Sequence, residues 1–245
     1  MCTVTFVPGS EGAVYLTSSR DEQLHRRPKS HASWHTMPNG SRLYYPTDAG
    51  AGGTWMAACP QGRVAILLNG AFERHVSQPP YRRSRGLVLL DLFQQQDTVT
   101  AFATYDLQKI EPFTLVLWQD QRLYELRWDG QRPHQAVYAS EQPRLWSSAT
   151  LYDAAMRARR QQWFAHWCQQ HLATAGWEAV WQFHLHAGEG DAGMNIRMKR
   201  PNGIETISIS SVQLPSDGSC HFQFADLLSG ESSPHHTSWH TAATV

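Results

Sequence analysis

The stretch MCTVTFVPGSEGAVYLTSSRDE, residues 1–22, decides the fold that this sequence predicts. Residues 3–7 are β-branched or aromatic, the types enriched in strands. Residues 8–12 supply proline and glycine, which favour turns, and residues 13–18 again favour extended backbone. The pattern therefore predicts a β-hairpin at the start of the chain.

Cys2 directly follows the initiator Met1. Removal of Met1 would leave a thiol and a free α-amino group on one residue. The ordinary pKa of that amine, about 7.7–8.0, allows it to accept the thiol proton near neutral pH. The position thus suggests an N-terminal nucleophile, although position alone also fits a cysteine without a function.

The predicted turn places Cys2 opposite Ser18 and returns Arg20 and Asp21 beside the chain start. A guanidinium near the sulfur would favour the thiolate and attract a carboxylate substrate, and a carboxylate could orient the terminal ammonium. The alternative is a solvated loop with a surface ion pair over residues 19–22.

Patterns of hydrophobic residues predict the remaining secondary structure. Strands are expected over 54–58, 63–69, 113–119, 123–128, 194–199 and 204–212, and helices over 82–96, 98–105 and 152–172. In the last helix Arg160 is expected to face solvent. Residues 229–245 are polar and aperiodic, so we expect a disordered tail after a single domain over 1–228.

Composition narrows the classes of function. The 245 residues carry 21 basic and 21 acidic side chains, which does not indicate binding to nucleic acid. No run of residues has the length and apolarity of a transmembrane helix or a signal peptide, so a cytoplasmic location is expected. The four cysteines, at widely separated positions, indicate neither a zinc site nor a disulfide framework.

Several short motifs occur in a characteristic order. They are Met1-Cys2-Thr3, Ser19-Arg20-Asp21-Glu22, Arg27-Pro28, Trp34, Gly52-Gly53-Thr54-Trp55, Leu67-Leu68-Asn69-Gly70 and Ser147-Ser148-Ala149-Thr150-Leu151-Tyr152. Over most of residues 1–226 the chain resembles the NRDE family, also called the transport and Golgi organisation 2 (TANGO2) family. One departure is clear, because Ser19 stands where the family has its signature asparagine.

The resemblance extends to N-terminal-nucleophile (Ntn) hydrolases of the choloylglycine hydrolase and penicillin V acylase type. It implies an α+β fold of four αββα layers, with two stacked antiparallel sheets between helices. It also implies site residues: Cys2 as nucleophile, Arg20 and Asp21 as its electrostatic partners, and Asn69 as an oxyanion donor. Ser148 would stand in for a second asparagine of the acylases, and Arg197 is the candidate for their later arginine.

Two functions follow from this resemblance. The first is an amidohydrolase that uses processed Cys2 on a small non-peptide amide and requires no cofactor. The alternative is a non-enzymatic carrier of haem or a related hydrophobic ligand, because TANGO2-family proteins have been tied to haem trafficking. Thirteen histidines and ten tryptophans are compatible with haem, but the sequence has no C-x-x-C-H attachment motif.

Overall fold

A computed structural model describes residues 2–26, 31–229 and 234–241. Met1 and the Arg27-Pro28 motif lie outside the described residues. The backbone of Cys2 opens the first strand, whereas its side chain is also outside the described part.

The described residues form thirteen strands and four α-helices. In chain order the strands are β1 (Cys2–Pro8), β2 (Val14–Gln23), β3 (Ser33–Thr36), β4 (Arg42–Tyr45), β5 (Met56–Ala58), β6 (Val64–Asn69), β7 (Phe113–Gln119), β8 (Arg122–Trp128), β9 (Pro133–Tyr138), β10 (Arg144–Ser147), β11 (Ile204–Leu214), β12 (Ser219–Asp226) and β13 (His235–His240). The helices are α1 (Arg85–Phe93), α2 (Thr98–Thr104), α3 (Ala154–His171) and α4 (Trp177–His186).

Two antiparallel sheets stack face to face. One has six strands in the order β10-β1-β2-β11-β12-β13, and the other has seven in the order β3-β4-β5-β6-β7-β8-β9. Apolar side chains from both sheets form the core between them. A second cluster joins α1 and α2 to the seven-stranded sheet, and a third joins α3 and α4 to the six-stranded sheet. This arrangement confirms the predicted αββα layers.

The N-terminal hairpin forms as predicted, but its register differs. A short 3-10 turn at Ser10–Gly12 includes Glu11 at φ 55°. Val7 consequently pairs with Tyr15, and Cys2 lies opposite Arg20, where we expected Ser18. The three-residue turn changes the number of residues between the strands, so the expected pairing was wrong by two positions on β2. Arg20 therefore comes directly beside the chain start.

The hairpin has two distinct faces because side chains alternate along a strand. Val4 and Leu16 belong to the core between the sheets, so even-numbered positions of β1 and β2 face the sandwich interior. Val7 and Tyr15 belong to the cluster with α3 and α4, so odd-numbered positions face those helices. We call these the interior face and the helix face.

Three other sequence predictions need correction. His235–His240 within the expected disordered tail forms the edge strand β13, where Trp239 packs against Trp34 and the core. Residues 194–199 form turns and a single bridge at Lys199, because their buried residues fill the space beside α4 and β11. Arg160 is completely buried rather than exposed.

Candidate functional site

A cavity of about 350 Å³ lies at the end of the hairpin where Cys2 and Arg20 pair. Seven of its lining side chains are arginines or carboxylates, so both signs of charge are present: Arg20, Glu22, Arg26, Asp48, Arg83, Arg85 and Glu111. The remaining lining residues are Ala51, Gly53, Thr54, Trp55, Leu67, Asn69, Tyr81, Ser84 and Gly86. The cavity therefore offers a strongly polar surface to a ligand.

One wall depends on a close approach of two backbone segments. A Cβ atom at Gly53 would lie 2.5 Å from the carbonyl carbon of Gly86. The absence of side chains at both positions lets the loop before β5 pack on the start of α1. The Ser84 side chain caps α1 by accepting the N–H of Leu87. The Gly-Gly-Thr-Trp motif thus sets one boundary of the cavity.

Arg20 is the buried centre of the cavity wall. Its guanidinium carbon lies 4.1 Å from the Trp55 ring centroid, and it donates a 3.0 Å hydrogen bond to the Arg26 carbonyl oxygen. It also donates to the Asp48 carboxylate. These contacts fix the guanidinium on the interior face, and the backbone of Arg20 lies opposite that of Cys2. The sequence predicted Arg20 beside the chain start but not this direct pairing.

Asp48 completes the support for Arg20. Burial acts to raise the pKa of this carboxyl, but Arg20, Arg26 and the N–H of Ala51 outweigh it and hold the pKa below its usual value. Asp48 is therefore ionised at neutral pH. A cationic guanidinium and an anionic carboxylate are thus maintained beside the chain start.

A second ion pair lies at the other side of the cavity. Arg85, the first residue of α1, lies 3.0 Å from the Glu111 carboxylate and donates to the Pro112 carbonyl oxygen. Burial is the main cause of a lowered pKa for Arg85, and Glu111 opposes that effect. Arg26 likewise pairs with Glu22 at 3.0 Å. Charged groups in the cavity are therefore largely matched with one another.

Asn69 ends β6 and lines the cavity. Its side-chain amide makes no hydrogen bond to any residue that the structure describes, so its N–H groups are available to a ligand. Ser148 is completely buried and donates a 2.8 Å hydrogen bond to the backbone carbonyl oxygen of Asn69. Ser148 thus lies next to Asn69, where its hydroxyl supports the end of the strand.

Asp21 occupies the helix face, away from Arg20. Its carboxylate accepts hydrogen bonds from the Tyr152 hydroxyl and, at 2.5 Å, from the Thr206 hydroxyl. Burial raises the pKa of Asp21, although Arg160 and these hydroxyls oppose the effect. The structure therefore separates the two predicted electrostatic partners of Cys2 onto opposite faces of β2.

Arg197 is exposed in the segment between α4 and β11 and is not among the described residues that line the cavity. The buried arginine is Arg160, which the sequence analysis missed. It donates to the Thr3 hydroxyl and, at 2.7 Å, to the Asn195 carbonyl oxygen. The sequence could have indicated this burial, because Arg160 lies one helical turn before the buried Phe164 and thus within the apolar stripe of α3.

His184, also missed, packs behind the hairpin. Its ring nitrogens lie 2.8 Å from the Thr5 hydroxyl and 2.7 Å from the Ser19 hydroxyl. Burial, aided by the charge of Arg160, lowers the pKa of His184 to about 3, so the imidazole is neutral. Ser19, the departure from the family pattern, is therefore hydrogen-bonded to a histidine.

Comparison with known proteins assigns the family. A family model described as Transport and Golgi organisation 2 matches residues 1–186. The chain belongs to the TANGO2 family. Among curated proteins no significant match was found. The matched region of this TANGO2-family chain includes Cys2, Arg20, Asn69 and His184.

Solved structures show where the fold recurs. The chain is similar to a Caenorhabditis elegans N-acylethanolamine-hydrolyzing acid amidase ortholog, with TM-score 0.56 and 11% identity over 86% of this chain and 92% of the other. A cysteine-to-alanine mutant of conjugated bile acid hydrolase from Clostridium perfringens gives TM-score 0.58 and 6% identity, covering 98% of this chain and 92% of the other.

An arginine-to-leucine variant of the same bacterial hydrolase gives TM-score 0.57 and 7% identity, covering 100% of this chain and 99% of the other. At these identities the comparison establishes the Ntn-hydrolase fold alone. Within the described part of the chain, no helix is long and apolar enough to span a membrane.

Proposed function

We propose that this chain is a cysteine amidohydrolase that acts on a small, polar, non-peptide amide after removal of Met1. The observation that carries the proposal is the pairing of Cys2 with Arg20 at a cavity that also contains the free amide of Asn69. A thiol, a fixed guanidinium and an unpaired hydrogen-bond donor are the parts that acyl transfer requires.

The chain's own residues divide the reaction between them. The Cys2 sulfur attacks the amide carbon while the α-amino group takes the thiol proton, and the Asn69 amide donates to the resulting oxyanion. The C–N bond then breaks as that proton passes to the leaving nitrogen. Water hydrolyses the thioester, which releases a carboxylic acid and restores the thiol. In comparable sites one oxyanion donor lowers the barrier by about 2.7–4 kcal/mol.

The structural neighbours support the class of reaction. By their names, one hydrolyses N-acylethanolamine and another hydrolyses conjugated bile acids. The seven ionisable residues of the cavity distinguish this chain's surface from one suited to an apolar ligand. A polar amide is therefore the substrate class that the cavity favours.

The test compares Cys2→Ala and Cys2→Ser with Cys59→Ala, a change at a buried cysteine of the core. Protein from its own host is first analysed by N-terminal mass spectrometry, and a panel of polar amides is then assayed for amine release. We expect a processed terminus and hydrolysis that is lost in both Cys2 variants. Retention of Met1, or equal hydrolysis by Cys2→Ala, would contradict the proposal.

The alternative function, haem binding, finds little support at this cavity apart from the thiolate that Cys2 could offer. Among the described lining residues none is histidine, cysteine or methionine. Tyr81 is of a type that can ligate haem iron, but its hydroxyl already accepts a 2.6 Å hydrogen bond from the N–H of Gln78. We expect no Soret shift at micromolar haem, whereas a stoichiometric shift retained in Cys2→Ala would favour the carrier.

We further infer that the protein acts in the cytoplasm on a small molecule, without nucleic acid as a partner. The balanced charge of the chain supports the part of this inference that concerns nucleic acid. Subcellular fractionation of the host tests it, with recovery in the cytosolic fraction as the expected result.

A further inference from the structure

His184 connects the two strands of the hairpin from behind. Thr5 lies on β1 and Ser19 on β2, and the imidazole reaches both hydroxyls from the last turn of α4. Ser19 pairs with Thr3, the neighbour of Cys2, and is itself the neighbour of Arg20. The imidazole is thus one residue removed from both members of the candidate site.

All three groups of this bridge are completely buried. A neutral imidazole has one nitrogen that donates and one that accepts, and each hydroxyl can take either role. Either tautomer therefore satisfies both ring nitrogens with the same two partners. A buried bridge with complete hydrogen bonding restricts the relative movement of the elements it joins.

The size of Ser19 is matched to the imidazole. With 2.7 Å between Ser19 Oγ and His184 Nδ1, no space remains for a longer side chain at position 19. Asparagine has two more heavy atoms than serine, and its amide would overlap the imidazole. A small residue at 19 and an imidazole at 184 therefore depend on each other.

We propose that His184 is a positioning residue that holds the β1–β2 hairpin in the register that presents Cys2 to Arg20. This inference rests on the proposed function, because it assigns His184 a role in arranging the nucleophile. The charged network of Arg160 and Asp21 lies on the same helix face, but it reaches Thr3 rather than Ser19. His184 thus fixes Ser19, the residue before Arg20, whereas Tyr152 and Thr206 hold Asp21, the residue after it.

The test measures the rate at which iodoacetamide alkylates Cys2, read from the N-terminal peptide by mass spectrometry. His184→Leu is compared with His184→Gln, which keeps hydrogen-bonding capacity, and with His186→Leu, a change at an exposed histidine of the same helix. We expect His184→Leu to slow alkylation at least about threefold, His184→Gln to recover part of the rate, and His186→Leu to have no effect. Unchanged kinetics in folded His184→Leu would overturn the proposal.

A second pair of variants serves if His184→Leu does not fold. We expect Ser19→Asn to lower the Tm by about 5 °C and to slow alkylation, because the amide overpacks against the imidazole. Combining it with His184→Ala should restore both properties in part. If the double variant is no better than Ser19→Asn, the two positions are not coupled and the inference fails.

Alkylation separates this inference from the proposed function. The Cys2 thiol can be labelled whether or not the protein hydrolyses an amide. Loss of the rate difference between the His184 variants would count against positioning alone, whereas absence of Cys2-dependent hydrolysis in the wild type would count against the amidohydrolase alone.

Discussion

The two faces of the N-terminal hairpin differ in how their buried polar groups are satisfied. On the helix face most of the buried polar groups have a partner: Thr3 with Arg160, Thr5 and Ser19 with His184, Thr17 with Ser211, and Asp21 with Tyr152 and Thr206. The exception beside the hairpin is Ser147 of β10, opposite Thr3, whose hydroxyl makes no hydrogen bond to any described residue. On the interior face, the hydroxyls of Ser18, Ser208 and Ser210 are buried without a hydrogen bond to any described residue.

The unpaired hydroxyls lie close together and close to the candidate site. Ser18 is directly opposite Ser210, and Ser208 is opposite Arg20, which is itself opposite Cys2. A buried polar group without a partner costs about 1–3 kcal/mol. Such costs are typical of positions kept for ligand or water contacts rather than for stability. The helix face therefore holds the hairpin in place, whereas the interior face supplies the reactive surface.

The largest expected effect on stability comes from replacing Arg160, which supports the helix face. Arg160→Met removes a buried cation that binds Thr3 and Asn195 and faces Asp21, and it leaves that carboxyl without its positive neighbour. We expect a loss of about 3–5 kcal/mol in the free energy of unfolding, measured in urea. Arg159→Met, at an exposed neighbour, should cost less than about 1 kcal/mol. Equal effects of the two variants would contradict the assignment of Arg160 to a buried network.

We expect an intermediate effect on stability from two carboxyl groups, Asp21 on the helix face and Asp48 beside the interior face, whose contributions depend on pH in opposite ways. The folded-state pKa of Asp21 is raised above 3.8, chiefly by burial, so the folded protein binds this proton more tightly than the unfolded chain does. As pH rises from 3.8 through the folded pKa, the unfolded state loses the proton first and stability falls. We expect Asp21→Asn to remove this loss, which amounts to about 1.4 kcal/mol for each unit of pKa shift.

The pKa of Asp48 is shifted in the opposite direction, so this residue serves as the control. Arg20 and Arg26 lower its folded pKa below 3.8, so its stabilising contribution is complete above 3.8 and is lost as pH falls through the folded value. Urea unfolding of Asp21→Asn and Asp48→Asn between pH 3 and pH 7 checks both directions. Parallel stability profiles for the two variants would show that the faces do not differ electrostatically.

Local patterns predicted the hairpin and most of the helices because short-range spacing determines them. The strand order was beyond such patterns, since β2 joins β11 across most of the chain. Arg20 and Asn69 could be assigned through the family resemblance, and both line the cavity. Arg160 and His184 could not, because charged and polar residues on helices are usually exposed, and only the tertiary structure shows their buried partners.

The smallest expected effect on stability comes from removing a single serine hydroxyl from each face. Ser19→Ala leaves one nitrogen of the buried imidazole of His184 without its partner, and we expect a loss of about 1–3 kcal/mol in the free energy of unfolding. Ser210→Ala removes a hydroxyl that has no partner among the described residues, so we expect no loss and a gain of up to about 1 kcal/mol. Urea unfolding of both variants under one set of conditions measures the difference. A loss in Ser210→Ala as large as that in Ser19→Ala would mean that the interior hydroxyls stabilise the fold, and the distinction between a supporting face and a reactive face would not hold.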